Sequence, residues 1–143
     1  MSVKRRWSAK AAASTIGSSF KLSGDVGGEM DFFVDPGATR RLQVIGLSLP
    51  ANSSLIVRRA RFFFNDPEIF LRVSVLNIET TEIRHWLAPT SAGEVVPNIV
   101  LLNTTRARNI YVAIAGTNVR TTGSSLFRPD DGWWVKFSIV SRS

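Results

Sequence analysis

The chain has 143 residues, enough for one domain with a hydrophobic core, and its 44% apolar and 20% charged content is typical of folded proteins. It contains no cysteine, which excludes disulfides and thiolate metal sites, and no apolar run approaches the ~20 residues that span a bilayer. The net charge of +7 indicates an anionic partner rather than a particular fold.

The positive charge is concentrated at the N-terminus. Residues 1–21, which we call the arm, contain no acidic residue and five cations: Lys4, Arg5, Arg6, Lys10 and Lys21. The remaining 122 residues hold 13 basic and 11 acidic side chains, so they are close to neutral. We therefore predict a basic arm at residues 1–21 and a folded domain at residues 22–143.

Within the arm, Ser8–Ile16 is the one segment of the chain that we expect to be able to form a helix, because Ala11–Ala13 favours helix and a serine can cap it. The same alanine run is too short and too weakly apolar for the core of a signal peptide.

After the arm, runs rich in Val, Ile, Phe and Thr alternate with turn signals. Their period-2 patterning predicts strands at Phe20–Leu22, Glu29–Val34, Arg40–Leu49, Ser53–Phe64, Ile69–Ile78, Thr81–Leu87, Val95–Leu102, Asn109–Ala115 and Trp133–Val140. Turns are expected between them, among others at Asp35–Gly37, Pro50–Asn52, Gly116–Asn118 and Pro129–Gly132. Eight or nine strands at regular spacing predict an all-β, antiparallel sandwich or barrel.

Some of these strands are apolar on both faces, as at Phe62–Phe64 and Trp133–Trp134. In a lone sandwich the outer face of each sheet is polar. Two interpretations remain open: another subunit covers part of the outer surface, or Phe62–Phe64 closes the core at a twisted strand end.

The chain offers little for catalysis. His85 is the only histidine, and its position beside Trp86 within a predicted strand favours a structural role over that of a general base. Phosphate-binding glycine motifs and a nucleophile elbow do not occur in the sequence. We predict no enzymatic activity and no cofactor.

Two acidic pairs have the oxygen ligands that calcium prefers: Asp66 with Glu68, and Asp130 with Asp131. Both lie in sequences that form turns without a metal, so we predict turns and no metal site.

The domain holds a second group of basic residues. Arg58, Arg59 and Arg61 share a predicted strand that contains no acid, and such arginines either pair with carboxylates across a sheet or bind phosphate. Phosphate binding of this kind is independent of base sequence and sensitive to salt. Trp7 either stacks on a base or anchors the arm. The predicted nucleic-acid-binding residues are Lys4, Arg5, Arg6, Lys10, Lys21, Arg58, Arg59 and Arg61.

A basic, Ala/Ser-containing arm with Lys4-Arg5-Arg6 and Lys10, followed by about eight short strands, resembles the small coat proteins of plant satellite viruses of the satellite panicum mosaic virus type. The resemblance covers the whole chain and rests on layout, not on a motif. It implies an eight-stranded jelly-roll β-sandwich that self-assembles into an icosahedral shell. It also implies that the arm contacts packaged nucleic acid, with RNA as the expected kind. The resemblance places the chain in the virion, with no membrane and no small-molecule partner.

Two other functions fit the same pattern. A different virion component, such as a phage decoration, penton, spike or tail protein, would use its arm to clamp a neighbouring subunit. A carbohydrate-binding β-sandwich would use Trp86 or Trp133–Trp134 as a stacking platform.

Overall fold

The computed structural model describes residues 7–10, 19–24, 32–64, 68–78, 81–88, 92–123, 125–127 and 129–142. These residues form the strands β1 (Trp7–Lys10), β2 (Ser19–Gly24), β3 (Phe32–Val34), β4 (Thr39–Leu49), β5 (Ser53–Phe64), β6 (Ile69–Ile78), β7 (Thr81–Leu87), β8 (Ala92–Val95), β9 (Ile99–Thr104), β10 (Arg108–Asn118), β11 (Ser125–Phe127) and β12 (Pro129–Ser141). Within these ranges no helix is long and apolar enough to cross a membrane.

The strands form two main sheets. The β10 sheet has the order β1-β4-β10-β6-β7, and the β12 sheet has the order β2-β12-β5-β8, with β9 also paired to β5. Strands β3 and β11 form a small separate pair. All pairings are antiparallel except that of β1 with β4, which is parallel.

The path of the chain between the two sheets identifies the fold. Eight main strands remain when β1 and the small β3–β11 pair are set aside and β8 and β9 are taken as one interrupted strand. The chain changes sheet at every step between them except from β6 to β7. This is the two-layer winding of a jelly roll, which confirms the predicted all-β, antiparallel jelly-roll sandwich.

The core lies between the sheets and uses the alternate positions that the sequence pattern indicates. On β12 the inward residues are Trp133, Val135, Phe137 and Ile139, and on β6 they are Ile69, Leu71, Val73 and Val75, all at most 2% exposed. Phe20 of β2 stacks on Phe137 with ring centroids 4.9 Å apart. Burial of these side chains is therefore the main contribution to stability.

Some of the strands that are apolar on both faces have their second face buried by the chain itself. Phe62 is fully buried in the core, while the side chains of Phe63 and Phe64 lie outside the described residues. On β10, Ala113 and Ala115 face away from the core cluster and are each only 2% exposed. A neighbouring subunit is therefore not needed to explain the apolar second face of β10.

Two predicted turns are wrong. Gly116–Asn118 is the end of β10, because Asn118 is fully buried and its Nδ2 donates to the Val34 carbonyl at 2.7 Å. Pro129–Gly132 belongs to β12, where the register to β5 shifts between Pro129 and Trp133. The predicted strand at Val95–Leu102 is divided into β8 and β9 at Val96–Asn98.

The possible helix at Ser8–Ile16 is wrong for Ser8–Lys10, which belong to β1, and residues 11–16 lie outside the described part. Trp7–Lys10 pairs in parallel with Gln43–Gly46 at the edge of β4. An open strand edge offers hydrogen-bond partners to the backbone, whereas a helix of this length is marginal alone. Strands β1 and β11 have no counterpart in the sequence prediction.

The core assignment predicts a large effect for one substitution. Phe137→Ala should lower the free energy of unfolding by about 3–5 kcal/mol, because it removes a fully buried ring and its stacking on Phe20. Val119→Ala, at a position 40% exposed, is the control and should change it by less than about 0.5 kcal/mol. Urea denaturation of both variants tests this, and an equal effect would contradict the assignment.

Candidate nucleic-acid interface

An extra residue in β5 decides where three of the predicted arginines lie. The register to β12 matches Val57 with Phe137 and Arg59 with Lys136, so Arg58 has no partner of its own in the ladder. Val57 and Ala60 are both fully buried, although strict alternation would place them on opposite faces. Because of this β-bulge, Arg58, Arg59 and Arg61 all face outward and form a cluster on β5.

The side-chain contacts agree with this placement. Arg58 Nε donates to Ser138 Oγ at 3.2 Å, and Ser138 alternates on β12 with the inward residues Phe137 and Ile139. Arg59 Nη2 lies 2.5 Å from Glu94 Oε2 of β8, and Arg61 is the register partner of Glu94. Strict alternation from Leu55 and Val57 would place Arg59 in the core, but the bulge shifts the alternation between Val57 and Ala60, so Arg59 faces outward.

The outer face of the β12 sheet collects further cations. Lys21 of β2 is the register partner of Lys136 on β12, and Lys136 is in turn the partner of Arg59. Lys21, Arg59 and Lys136 thus form a row across three strands, about 10 Å wide at the usual strand spacing. We call Lys21, Arg58, Arg59, Arg61 and Lys136 the cationic face.

Trp134 lies in the next row of the same face. Its register partners are Ser23 on β2 and Arg61 on β5, and its ring is half-buried, in contrast to the core residue Trp133. The Nζ atoms of Lys21 and Lys136 lie 5.7 and 5.3 Å from the centroid of the ring. Cation–π attraction at this range offsets part of the repulsion between the two lysines.

The cationic face carries a net positive charge. Its acidic partner among the described residues is Glu94, and the ion pair with Arg59 is exposed, with 51% and 38% of the two side chains accessible. An exposed pair of this kind contributes at most about 1 kcal/mol and is weakened by salt. Among the side chains that the structure describes, five cations against one carboxylate leave a charge of +4 on the face, which favours a polyanion.

The predicted site residues are brought together in part. Lys21 shares the outer face of the β12 sheet with Arg58, Arg59 and Arg61, with β12 between them. Lys10 lies in β1, at the edge of the other sheet, and its side chain is outside the described residues. Lys4, Arg5 and Arg6 lie outside the described part of the chain, so their predicted role stays a prediction.

Two residues of this surface were not among the predicted nucleic-acid-binding residues, although Trp133–Trp134 was named as a stacking platform for a carbohydrate. Lys136 and Trp134 alternate outward on the strand predicted at Trp133–Val140, which is a signal that the sequence contains. The sequence does not show which strands are neighbours in the sheet. Without the pairing of β12 with both β2 and β5, Lys136 cannot be placed beside Lys21 and Arg59.

The opposite sheet carries a polar cluster around Glu82. Arg72 Nη2 donates to Glu82 Oε2 at 2.8 Å, Ser74 Oγ donates to Oε1 at 2.8 Å, and His85 Nδ1 lies 3.0 Å from Oε2. Arg72, Ser74 and Glu82 also border a cavity of about 240 Å³. The His85 side chain is 43% exposed, and its contact with the Glu82 carboxylate is compatible with a structural role.

The order of these groups differs from that of a catalytic triad. Here the carboxylate lies between the hydroxyl and the imidazole, whereas a triad requires the imidazole to contact the hydroxyl and take its proton. Among the described residues no three His, Cys, Asp or Glu side chains are grouped to hold a metal. Of the calcium candidates, Glu68 uses its backbone carbonyl to accept from Val119 N at 3.0 Å; the side chains of Asp66, Asp130 and Asp131 are not described.

Comparison with solved structures relates the fold to virus particles. The VP2 subviral particle of infectious bursal disease virus matches with a TM-score of 0.52 and 10% identity over 90% of this chain and 34% of the VP2 chain. The structure of the Gx strain of the same virus matches with a TM-score of 0.50 and 12% identity over 87% of this chain and 33% of that chain. At this identity the likeness establishes the jelly-roll fold, and the chain spans about a third of the length of these structures. No family model and no curated protein matches the chain.

The Glu82 cluster predicts a pH dependence of stability. Partial burial of Glu82 acts to raise its pKa, but hydrogen bonds from Arg72 and Ser74 and the charges of Arg72 and His85 together lower the pKa below its ordinary value of 4.5. A lowered folded-state pKa stabilises the fold above 4.5, and this contribution is lost as the pH falls through the folded-state pKa.

We therefore expect Glu82→Gln to remove this part of the pH dependence. We would measure urea unfolding at a series of pH values from neutral to strongly acidic. The free energy of unfolding should fall less with decreasing pH for Glu82→Gln than for the wild type. Glu94→Gln, which changes a more exposed carboxylate on the other sheet, is the matched control. Identical acid profiles for Glu82→Gln and the wild type would contradict the prediction.

Proposed function

We propose that this chain is a structural subunit of a virus particle that self-assembles into a shell and contacts packaged nucleic acid, RNA above all. The observation that carries the proposal is the jelly-roll winding of the domain, which two structures from infectious bursal disease virus share over about nine-tenths of this chain. The basic arm ahead of a jelly-roll domain fits the satellite-virus type of coat protein that the sequence resembles. The chain's location would then be the virion, with copies of itself as partners.

Exposed apolar residues support self-assembly. Large exposed apolar side chains occur on β9 and the segment before it (Val96, Ile99 and Val100) and on β6 and β7 (Ile78 and Ile83), with exposures of 39% to 57%. Strands β7 and β9 contact each other, so both groups lie on the side of the sandwich where the sheets end. Apolar surface at exposed strand edges is suited to contact with a second copy of the chain.

Charge supports the contact with nucleic acid. The arm brings five positive charges, of which Lys21 lies on the cationic face with Arg58, Arg59, Arg61 and Lys136. Binding of phosphates by such groups releases counterions and needs no reading of the bases. In this proposal the role of the chain is structural, not enzymatic.

A second candidate function is a virion component whose arm clamps a neighbour. The observation that favours it is β1, because Trp7–Lys10 adds in parallel to the edge of β4. Backbone addition to a strand edge is a common way for an extended segment to bind. The same contact made on an adjacent copy would join two subunits.

The apolar surface gives a test of assembly. The double variant Val96→Asp/Val100→Asp should remain folded but lose assembly, because it places charge on residues that are about half exposed in the single chain. Size-exclusion chromatography with light scattering, together with the ratio of absorbance at 260 and 280 nm, measures assembly and nucleic-acid cargo at once.

The control for assembly is Val119→Asp, which changes an exposed valine just after β10 and should assemble as the wild type does. A wild-type chain that stays monomeric would contradict the proposed function. A small oligomer without nucleic acid would support the clamp instead.

The arm gives a test of nucleic-acid contact. Replacing Lys4, Arg5, Arg6 and Lys10 with Gln in the full chain should weaken RNA binding and lower the slope of log K against log salt by about 3, at about 0.7 per lost phosphate contact. Filter binding over a series of salt concentrations measures the slope.

The matched control for the arm keeps its charge by exchanging lysine and arginine at the same four positions. This control should retain the wild-type slope, because phosphate contact of this kind depends on charge. If the Gln variant also retains it, the arm does not bind RNA and the clamp becomes the better account of residues 1–21.

A further inference from the structure

We infer that the cationic face is a binding site for single-stranded nucleic acid, in which Trp134 stacks on a base and the surrounding cations bind the phosphates on either side. The inference rests on the proposed contact with nucleic acid. It adds a site on the folded domain, names Trp134 as the stacking residue and commits to a single-stranded ligand.

The position of Trp134 suits stacking. It lies on β12, between β2 and β5, so the ring is near the middle of the face rather than at its rim. Its partner on β2 is the small, exposed Ser23, so no bulky side chain lies opposite the ring on that strand. Indole rings presented on a sheet and flanked by cations are a common platform for unstacked bases.

The lysines are placed to act together with the ring. The Nζ atoms of Lys21 and Lys136 lie 5.7 and 5.3 Å from its centroid, close enough to reach the phosphates of a nucleotide that stacks there. On the other side, Arg61 is the register partner of Trp134. A stacked base would therefore have Arg61 beside it in the same row and Lys21 and Lys136 in the next row.

The arrangement of charges also indicates an anionic ligand. The row of Lys21, Lys136 and Arg59 places like charges directly opposite each other on neighbouring strands, which destabilises a sheet. The pairing of Arg59 with Glu94 offsets only one of the three. Residues that lower local stability are expected at functional sites. A bound polyanion would neutralise these charges and remove the repulsion between them.

Single strands fit this surface better than duplexes or sugars do. In a duplex the bases are stacked inside, and the phosphates alone would meet the face, so Trp134 would have no function. A neutral sugar could use the ring but not the net charge of +4 that the described side chains place around it. The combination of ring and charge is typical of sites that bind single strands without reading their sequence.

The experiment measures binding of the full chain to a fluorescent oligouridylate by anisotropy, at low salt and over a salt series. Trp134→Leu should weaken binding about tenfold, the loss expected for one stacked base, while Trp134→Phe retains most of the affinity. Lys136→Gln should lower the salt slope by about 0.7. Arg84→Gln, an exposed cation on β7 of the other sheet, is the matched control and should bind as the wild type does.

Two further ligands separate stacking from charge. An RNA duplex of the same length and polyglutamate should bind Trp134→Leu and the wild type equally, because neither presents an unstacked base. If Trp134→Leu weakens the binding of all three ligands alike, the tryptophan does not act by stacking on a base and the inference is wrong. Unchanged thermal melting of each variant checks folding, and Lys136→Gln tests the face independently of the tryptophan.

The failure of the inference can be distinguished from the failure of the proposed function. If Trp134→Leu and Lys136→Gln bind oligouridylate as the wild type does, while the Gln variant of the arm does not bind, the inference is overturned and the arm remains the contact. If the wild-type chain itself binds no RNA at low salt, the proposed contact with nucleic acid is overturned as well.

Discussion

The single extra residue in β5 is the constraint on which the outer surface of the β12 sheet depends. Because Val57 and Ala60 both lie in the core, the chain between them must accommodate one residue more than regular pairing allows. The bulge puts Arg58 and Arg59 on the same side as Arg61 and leaves the core free of charge. A regular strand would have to bury an arginine or expose Phe62, and either change is costly.

The paired strands β12 and β5 thus contribute residues both to the core and to the cationic face. Strand β12 supplies Phe137 to the core and Lys136 to the face, and β5 supplies Phe62 and Arg61 in the same way. Apolar packing between the sheets holds the outward side chains in fixed rows. The repulsion between those cations is small compared with the burial beneath them, so the fold tolerates a surface whose charge favours a ligand.

The sequence predicts most strands because their alternation follows directly from burial on one face, as in β6 and β12. It does not predict the bulge, since Val57 to Ala60 looks like a regular run until the partner strand is known. Nor does it predict that Gly116–Asn118 continues β10, because the hydrogen bond from Asn118 to Val34 joins residues far apart in the chain. The predicted site was incomplete for the same reason: Lys136 and Trp134 join it only through the order of the strands.

The central claim is that the outer face of the β12 sheet contacts single-stranded RNA. Photochemical cross-linking of the full chain to RNA, followed by mass spectrometry of the peptides, tests it most directly. The account predicts adducts at Trp134 and in the peptide that contains Arg58–Arg61. Adducts confined to residues 1–10, or to peptides of the β10 sheet such as the one that contains His85, would contradict it.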